Sequence, residues 1–252
     1  MTTLISDKYL EQNQSMHDTG NFGVSGCKWA PTVGWIIHHH KIKNVLDYGA
    51  GQQTLKKALM NHFDVKINCY DPAIPELATQ PSPTELLTCT DVLEHIEPEN
   101  IDNVLDHICL IASKYVFLVI PTGPAVKILP DGRNAHLIQK PVQWWLPKLL
   151  SRFDLISLNN ASGDIVFFGS KMSEKKSEVD AQLTSFLAEY GQNRLISIAY
   201  DGMSWQLSVK SKYIYDRLLP RILSIIKLGS KIGVTERLRK PNAPPRIVIT
   251  RF

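Results

Sequence analysis

The sequence lacks any run of about eighteen apolar residues, so no membrane-spanning helix is expected. Its first residues, MTTLISDKYLEQNQSMHD, lack the apolar core of a secretion signal. Cysteine is scarce: Cys27, Cys69, Cys89 and Cys109 stand apart, with no C-x-x-C spacing. Disulfides and a cysteine zinc cluster are therefore not expected, and a reducing cytoplasm is the default setting. There is no internal repeat and no long low-complexity tract. The third glycine of a G-x-G-x-x-G fingerprint is also missing from the one stretch that resembles it, VLDYGAGQQTL at 45–55.

What is present is a chain of 252 residues, 44% of them hydrophobic, enough for one globular domain with an extension or for one domain and a small second one. Its net charge of +4 is unevenly distributed. Residues 1–170 carry 13 Lys and Arg against 17 Asp and Glu, whereas residues 171–252 carry 15 against 7. The basic character belongs to the C-terminal third, which suits an anionic partner: a phospholipid surface, an acidic glycan or nucleic acid.

Periodicity lays out the elements. Residues 11–29 are polar and glycine-containing and read as a loop or mobile arm. Pro31 suits the first turn of a helix running to about His40. NVLDY (44–48) reads as a buried strand, QQTLKKALMNH (52–62) as a helix and VKINCYD (65–71) as a second strand. ELLTCTDVL (85–93) reads as a third strand, 98–112 as an amphipathic helix with apolar positions 101, 104, 105, 108 and 111, and KYVFLVI (114–120) as a fourth strand. A helix with Trp144 and Trp145 follows at about 141–152, one indole facing the core. DLISLNN and DIVFFGS then form an antiparallel hairpin. The alternation predicts a Rossmann-like α/β fold: a mixed sheet, mostly parallel, with a terminal antiparallel hairpin and helices on both faces. The four prolines in PAIPELATQPSPT (72–84) leave no room for a further helix and strand, so one sheet edge is truncated.

In such sheets a ligand binds at the carboxyl ends of the strands. Gly49 and Gly51 permit close backbone approach there. Asp71, at the end of the second strand, can accept hydrogen bonds from ribose hydroxyls. NAD and S-adenosylmethionine (SAM) both suit these features. Asp47 tilts the balance: a carboxylate just before the glycine turn repels a pyrophosphate and favours the ammonium and sulfonium of SAM.

VLDYGAG, YDP at 70–72 and TDVLEHIEP at 90–98, in this order, resemble the class I SAM-dependent methyltransferases over about residues 31–170, closest to the branch acting on small molecules. The resemblance implies that Asp47 lies by the methionyl part of SAM, Asp71 by its ribose, and Asp91 with Val92 by its adenine. The product is then S-adenosylhomocysteine.

PDGRNAH (130–136) follows the strongest strand and should emerge at the ligand end of the sheet. His136 suits a general base for an alcohol acceptor, Arg133 a clamp for an anionic group on it, and Asn134 a further polar contact. His95 reads as a structural histidine. His38, His39 and His40 are consecutive and point different ways on a helix, so no metal site is expected. An N-terminal arm holding His17, Ser25, Lys28 and Trp29 could close over SAM and exclude water.

The expected organisation is an arm or lid at 1–30, a SAM-binding domain at 31–170 and a basic extension at 171–252. In the extension 176–190 reads as a helix and 211–233 as an amphipathic one, with 211–240 available to an anionic or membrane surface. The expected protein is a cytoplasmic SAM-dependent methyltransferase, peripheral at the inner membrane surface if that contact forms. Its acceptor is a hydroxyl on a small polar molecule, sugar or glycan. Nucleic-acid methylation is the alternative within the same chemistry; it lacks support from an N/D-P-P-[YFW] tetrad or a Pro-Cys nucleophile. A non-catalytic SAM- or nucleotide-binding module is the alternative outside it.

Overall fold

The computed structural model describes residues 3–20, 22–161, 163–172, 196–200, 204–209, 232–237 and 246–251. The chain divides into two compact units, 1–140 and 141–252. Among the described residues no helix is long and apolar enough to cross a membrane.

The first unit is built on four parallel strands: β1 (Asn44–Tyr48), β2 (Lys66–Tyr70), β3 (Thr84–Thr90) and β4 (Ala112–Pro121). They lie in the order β2-β1-β3-β4. In β4 the residues Val116 to Ile120 are all buried, as a parallel strand covered on both faces requires. The crossover from β1 to β2 and that from β3 to β4 run in opposite directions along the sheet. Right-handed connections therefore send their helices to opposite faces. Strand order reverses between β1 and β3, which opens a crevice at their carboxyl ends. Between β2 and β3 there is only a short 3-10 turn, Pro75–Leu77. Among the described residues β2 pairs with β1 alone, so the sheet edge is truncated as the prolines predict.

Counted from the N-terminus, the helices are α1 (Asp7–Asp18), α2 (Ala30–His39), α3 (Thr54–Leu59), α4 (Ile101–Ile111) and, in the second unit, α5 (Val142–Leu150). α4 buries Ile101, Val104, Leu105, Ile108 and Ile111, the five positions its spacing selects. α3 is shorter than its periodicity suggests because Gln53 adopts a left-handed conformation (φ 57°) and ends the glycine turn just before Thr54.

The N-terminal segment corrects the sequence reading: residues 7–18 form a docked helix, and a 3-10 turn spans Ser25–Trp29. Ser6 caps α1, its hydroxyl accepting from the Tyr9 amide. Its own amide and hydroxyl donate to the two carboxylate oxygens of Glu97 at 2.8 and 2.6 Å. Tyr9 is buried against Leu129 and Ala135, and its hydroxyl donates to the His95 carbonyl at 2.7 Å. Tertiary anchoring of one tyrosine thus outweighs a polar local composition.

In the second unit Trp145 is buried and Trp144 half-buried. β5 (Phe153–Ala161) and β6 (Asp164–Lys171) form the expected antiparallel hairpin. Four further strands extend it: β7 (Ile196–Tyr200), β8 (Ser204–Val209), β9 (Ile232–Arg237) and β10 (Arg246–Arg251), all antiparallel. These strands were not read from the sequence; Ile232 and Gly233 belong to β9 rather than to an amphipathic helix. The predicted helix at 176–190 and the basic stretch 211–231 lie outside the described residues.

Candidate functional site

A cavity of 470 Å³ lies within the first unit, at the carboxyl ends of β1, β2 and β3. Its floor includes Tyr48, Gly49, Asp71, Ala73, Asp91 and Val92. The N-terminal segment supplies Tyr9, Asn13, His17, Phe22 and Lys28. Glu94, His95 and His136 complete another part of the wall.

The glycine turn explains its own composition. Gly49 has φ +73°, and a Cβ there would come within 2.5 Å of a Val92 methyl. Gly51 has φ +47°, and a Cβ there would meet the Gly23 carbonyl oxygen at 2.6 Å. Both positions require glycine for conformation and for space.

Every amide of this turn is already bonded within the protein. Gly49 and Ala50 donate to the Tyr70 carbonyl at 2.7 and 3.0 Å, Gln52 to the Gly23 carbonyl at 2.9 Å, and Gln53 to Ala50 at 2.8 Å. Gly51 donates to Asp71 Oδ2 at 3.0 Å. A pyrophosphate at such a turn depends on free amides and a helix N-terminus. Here no N–H from 49 to 53 is left to offer, and a carboxylate occupies the place of the anion.

Asp71 holds the turn together. Its second oxygen accepts from the Ala73 amide at 3.0 Å, and each carboxylate oxygen retains acceptor capacity for a ligand hydroxyl. His17 Nε2 lies 3.9 Å from Asp71 Oδ2. Burial pushes the His17 imidazole below its ordinary value, while the Asp71 charge pulls it up.

Asp47 is buried and does not line the cavity; Thr88 donates to its Oδ1 at 3.2 Å. Burial in the sheet raises its carboxyl to about 7. This corrects the expectation of direct contact with a ligand ammonium. Asp47 sits beneath the site, inside the sheet. Gly51 is likewise covered, by Gly23, and is absent from the lining.

Asp91 does line the cavity, in a left-handed conformation (φ 56°), and its carboxylate pairs with Lys28 Nζ at 3.0 Å. Val92 lines it too and packs on Gly49.

The segment 131–136 separates into different parts. His136 reaches the cavity, but Arg133 and Asn134 do not. Arg133 is engaged by Asp131 at 2.7 Å and lies over the Tyr9 ring at 5.8 Å. Asn134 is a backbone clamp: Oδ1 accepts from the Ala125 amide at 2.9 Å and Nδ2 donates to the Ala125 carbonyl at 2.8 Å. Both residues are corrections to the sequence reading; the Asp131 carboxylate and the loop backbone are closer partners than any ligand in the cavity.

His95 is not merely structural filler. It lines the cavity, and its ring meets that of His136 edge to face at 4.8 Å. Burial lowers its imidazole to about 4, with His136 adding to the effect. Phe22 bridges His17 and His95 with edge-to-face contacts of 5.0 and 5.4 Å. His39, by contrast, stacks on Trp35 at 4.7 Å and His40 packs on Tyr115 at 4.6 Å, away from the cavity lining.

No family model matches the chain, and no curated protein matches it. Solved structures do resemble it. A 1,6-didemethyltoxoflavin N1-methyltransferase of Burkholderia thailandensis shares 13% identity at a TM-score of 0.49, over 66% of this chain and 90% of that one. An O-methyltransferase family protein of the same organism shares 9% at 0.45, over 68% and 64%. Human N-acetylserotonin methyltransferase shares 13% at 0.40, over 66% and 55%. This chain thus spans less than two thirds of the length of the second and third. The functional reading rests on the cavity's own residues.

Tyr9, Asn13, Gly23 and Glu94 are the site residues that the sequence did not bring forward. The first three lie in or beside the stretch read as a loop, where a Ser6 cap followed by Asp7 was the available signal. Glu94 stood beside His95 in DVLEH, but nothing local announces the distant His136.

Proposed function

We propose that this chain is a SAM-dependent methyltransferase acting on a hydroxyl of a small polar molecule, a sugar or glycan unit among the candidates. The observation that carries the reading is the spent glycine turn: its amides are bonded to Tyr70, Asp71, Gly23 and Ala50, so a diphosphate finds no backbone donors there. A phosphate-free cationic ligand needs none. Three carboxylates, Asp71, Asp91 and Glu94, against two lysines, Lys28 and Lys127, line the cavity, and this balance also favours a cation.

Asp71 would accept the ribose hydroxyls, and Asp91 with Val92, both in the cavity lining, would approach the adenine. Bound there, SAM supplies an electrophilic methyl on sulfonium. The chain's own residues hold the acceptor and keep water out. His136 is oriented to act as the base: Nδ1 donates to the Gly123 carbonyl at 2.7 Å, so Nε2 is the face that can take a hydroxyl proton. The docked arm, through Tyr9, Asn13 and Phe22, walls the cavity from solvent.

The arm (1–30), the ligand-binding segment (31–170) and the basic extension (171–252) are proposed as the functional divisions of the chain. Calorimetry with S-adenosylhomocysteine and with NADH tests the ligand. Heat from the first and none from the second is expected; the reverse overturns the reading. A SAM-consumption screen over sugars, nucleotides and small alcohols then tests the enzyme. Binding without turnover on any acceptor would favour the non-catalytic module.

A further inference from the structure

We propose that Glu94, His95 and His136 form a binding site for a divalent first-row transition-metal ion in the wall of the cavity. One ligand atom from each residue lies within 4.8 Å of the others. Glu94 Oε1 is 3.8 Å from His95 Nε2 and 3.8 Å from His136 Nε2.

The histidines are already set in the orientation that ligation demands. His95 Nδ1 lies 2.7 Å from the Ala135 carbonyl and His136 Nδ1 lies 2.7 Å from the Gly123 carbonyl. A carbonyl only accepts, so each Nδ1 carries the hydrogen and each Nε2 presents a lone pair. Backbone carbonyls holding the remote nitrogen are the usual outer layer around metal-bound histidine. The rings stand at 85°, which brings the two lone pairs in from different directions. The Tyr9 hydroxyl fixes the His95 backbone from behind.

Glu94 is fully buried, and its carboxylate faces both imidazoles. Metal bonds of about 2.0–2.2 Å place neighbouring ligand atoms about 3–3.5 Å apart. Binding therefore draws the two 3.8 Å Glu94 separations in by about 0.3–0.8 Å, and the three ligand atoms, spread over up to 4.8 Å, close on the ion together. Two imidazoles and a carboxylate suit zinc, iron(II), cobalt(II) or manganese(II) more than the all-oxygen preference of calcium and magnesium. All three residues line the cavity, so the remaining coordination positions open into it, as in a catalytic rather than a structural site. This revises the expectation of no metal, which weighed the four scattered cysteines and the consecutive His38, His39 and His40.

The consequence for chemistry rests on the methyltransferase reading. An oxygen donor on the acceptor takes an open position on the ion, which makes a hydroxyl more acidic. His136 then serves as a ligand rather than as the base: the ion makes the coordinated hydroxyl acidic enough to release its proton to solvent water as its oxygen takes the methyl and the methyl–sulfur bond breaks. The acceptor class narrows to molecules with a hydroxyl free to coordinate.

The test is Co2+ titration of the full chain after chelator treatment, read by visible absorption. One band saturating at one equivalent and bleached by Zn2+ is expected. His136→Gln should weaken Co2+ binding by at least about tenfold, the lower end of what loss of even an outer-layer partner of a metal ligand costs. The double variant His39→Gln, His40→Gln should retain the band. No band, a band indifferent to His136→Gln, or a band lost with His39 and His40 overturns the site. If His136→Gln does not fold, X-ray absorption of the zinc-loaded wild-type chain decides: two imidazoles at the metal support the site, and any other count overturns it. Calorimetry with S-adenosylhomocysteine on the same chelator-treated protein keeps the two claims apart. Loss of that heat sinks the SAM reading and leaves the metal site standing.

Discussion

Gly23 and Gly51 meet backbone to backbone: a Cβ added to Gly51 would lie 2.6 Å from the Gly23 carbonyl oxygen and 2.7 Å from its Cα. One glycine belongs to the N-terminal arm and the other to the ligand turn. The same Gly23 carbonyl accepts from the Gln52 amide at 2.9 Å. The arm is therefore keyed into the turn, and the geometry of one depends on the other.

Gly51→Ala should dislodge the arm. The methyl adds a steric clash to a left-handed strain, together on the order of 1–3 kcal/mol. Gly20→Ala is the control, because its φ is +72° yet a Cβ there meets nothing within 4 Å. Thermal unfolding and limited proteolysis around residues 19–24 check this. Faster cleavage and a lower Tm are expected for Gly51→Ala, with a smaller change for Gly20→Ala. Equal behaviour of the two would mean the contact is unimportant.

Asp71 carries a structural load and, under the proposed function, a binding one. Asp71→Asn leaves one oxygen to serve two amides, those of Gly51 and Ala73. Hydrogen bonds to a charged acceptor contribute about 1.5–3 kcal/mol. S-adenosylhomocysteine affinity should fall about tenfold or more, since about 1.4 kcal/mol is a factor of ten. Calorimetry gives the number; unchanged affinity would remove Asp71 from the ligand site.

His136 and Arg133 are three residues apart but should behave differently. His136 faces the cavity, whereas Arg133 is committed to Asp131 outside it. His136→Ala should lower kcat by about 100-fold or more, the usual scale for a proton-transfer group. Arg133→Ala should change kcat by less than about twofold, as surface substitutions do. A large kcat loss for Arg133→Ala would restore it to the acceptor site.

The alternation of strands and helices in the first unit was legible because burial imposes periods that composition records. Ile101, Val104, Leu105, Ile108 and Ile111 could be picked from spacing alone. The arm was not legible, since α1 is held by Tyr9 under Leu129 and by Ser6 on Glu97, contacts across the whole unit. Strands β7 to β10 were missed for a different reason: β7 pairs with β8 and β9 with β10, near neighbours in sequence, but the basic content of the C-terminal third looked like a solvated extension. At the cavity, Asp71 and Val92, singled out through motif order, are in the lining. Asp47 is not, because a strand residue next to a turn can point into the sheet instead. The meeting of His95 with His136 is a property of the loop after β4, which no local pattern encodes.

Asp47 gives the fold a pH dependence of unusual sign for a carboxylate. Burial raises its folded value to about 7 from the ordinary 3.8. Between those values the unfolded chain has released the proton and the folded chain still holds it. The unfolded state binds fewer protons there, so stability falls as pH rises from about 4 to about 7. Below the window both states are protonated, and above it both are ionised, so this contribution is flat on either side. The full swing is on the order of a few kcal/mol, because each pH unit between the two values is worth about 1.4 kcal/mol. Asp47→Asn keeps an oxygen for the Thr88 hydroxyl and cannot ionise. The variant's stability relative to the parent should therefore climb across the window. Urea midpoints at pH 4.5, 6 and 7.5 for both proteins give the difference directly, free of every other titrating group they share. A difference that stays constant with pH would show that Asp47 is ionised in the folded chain at all three values.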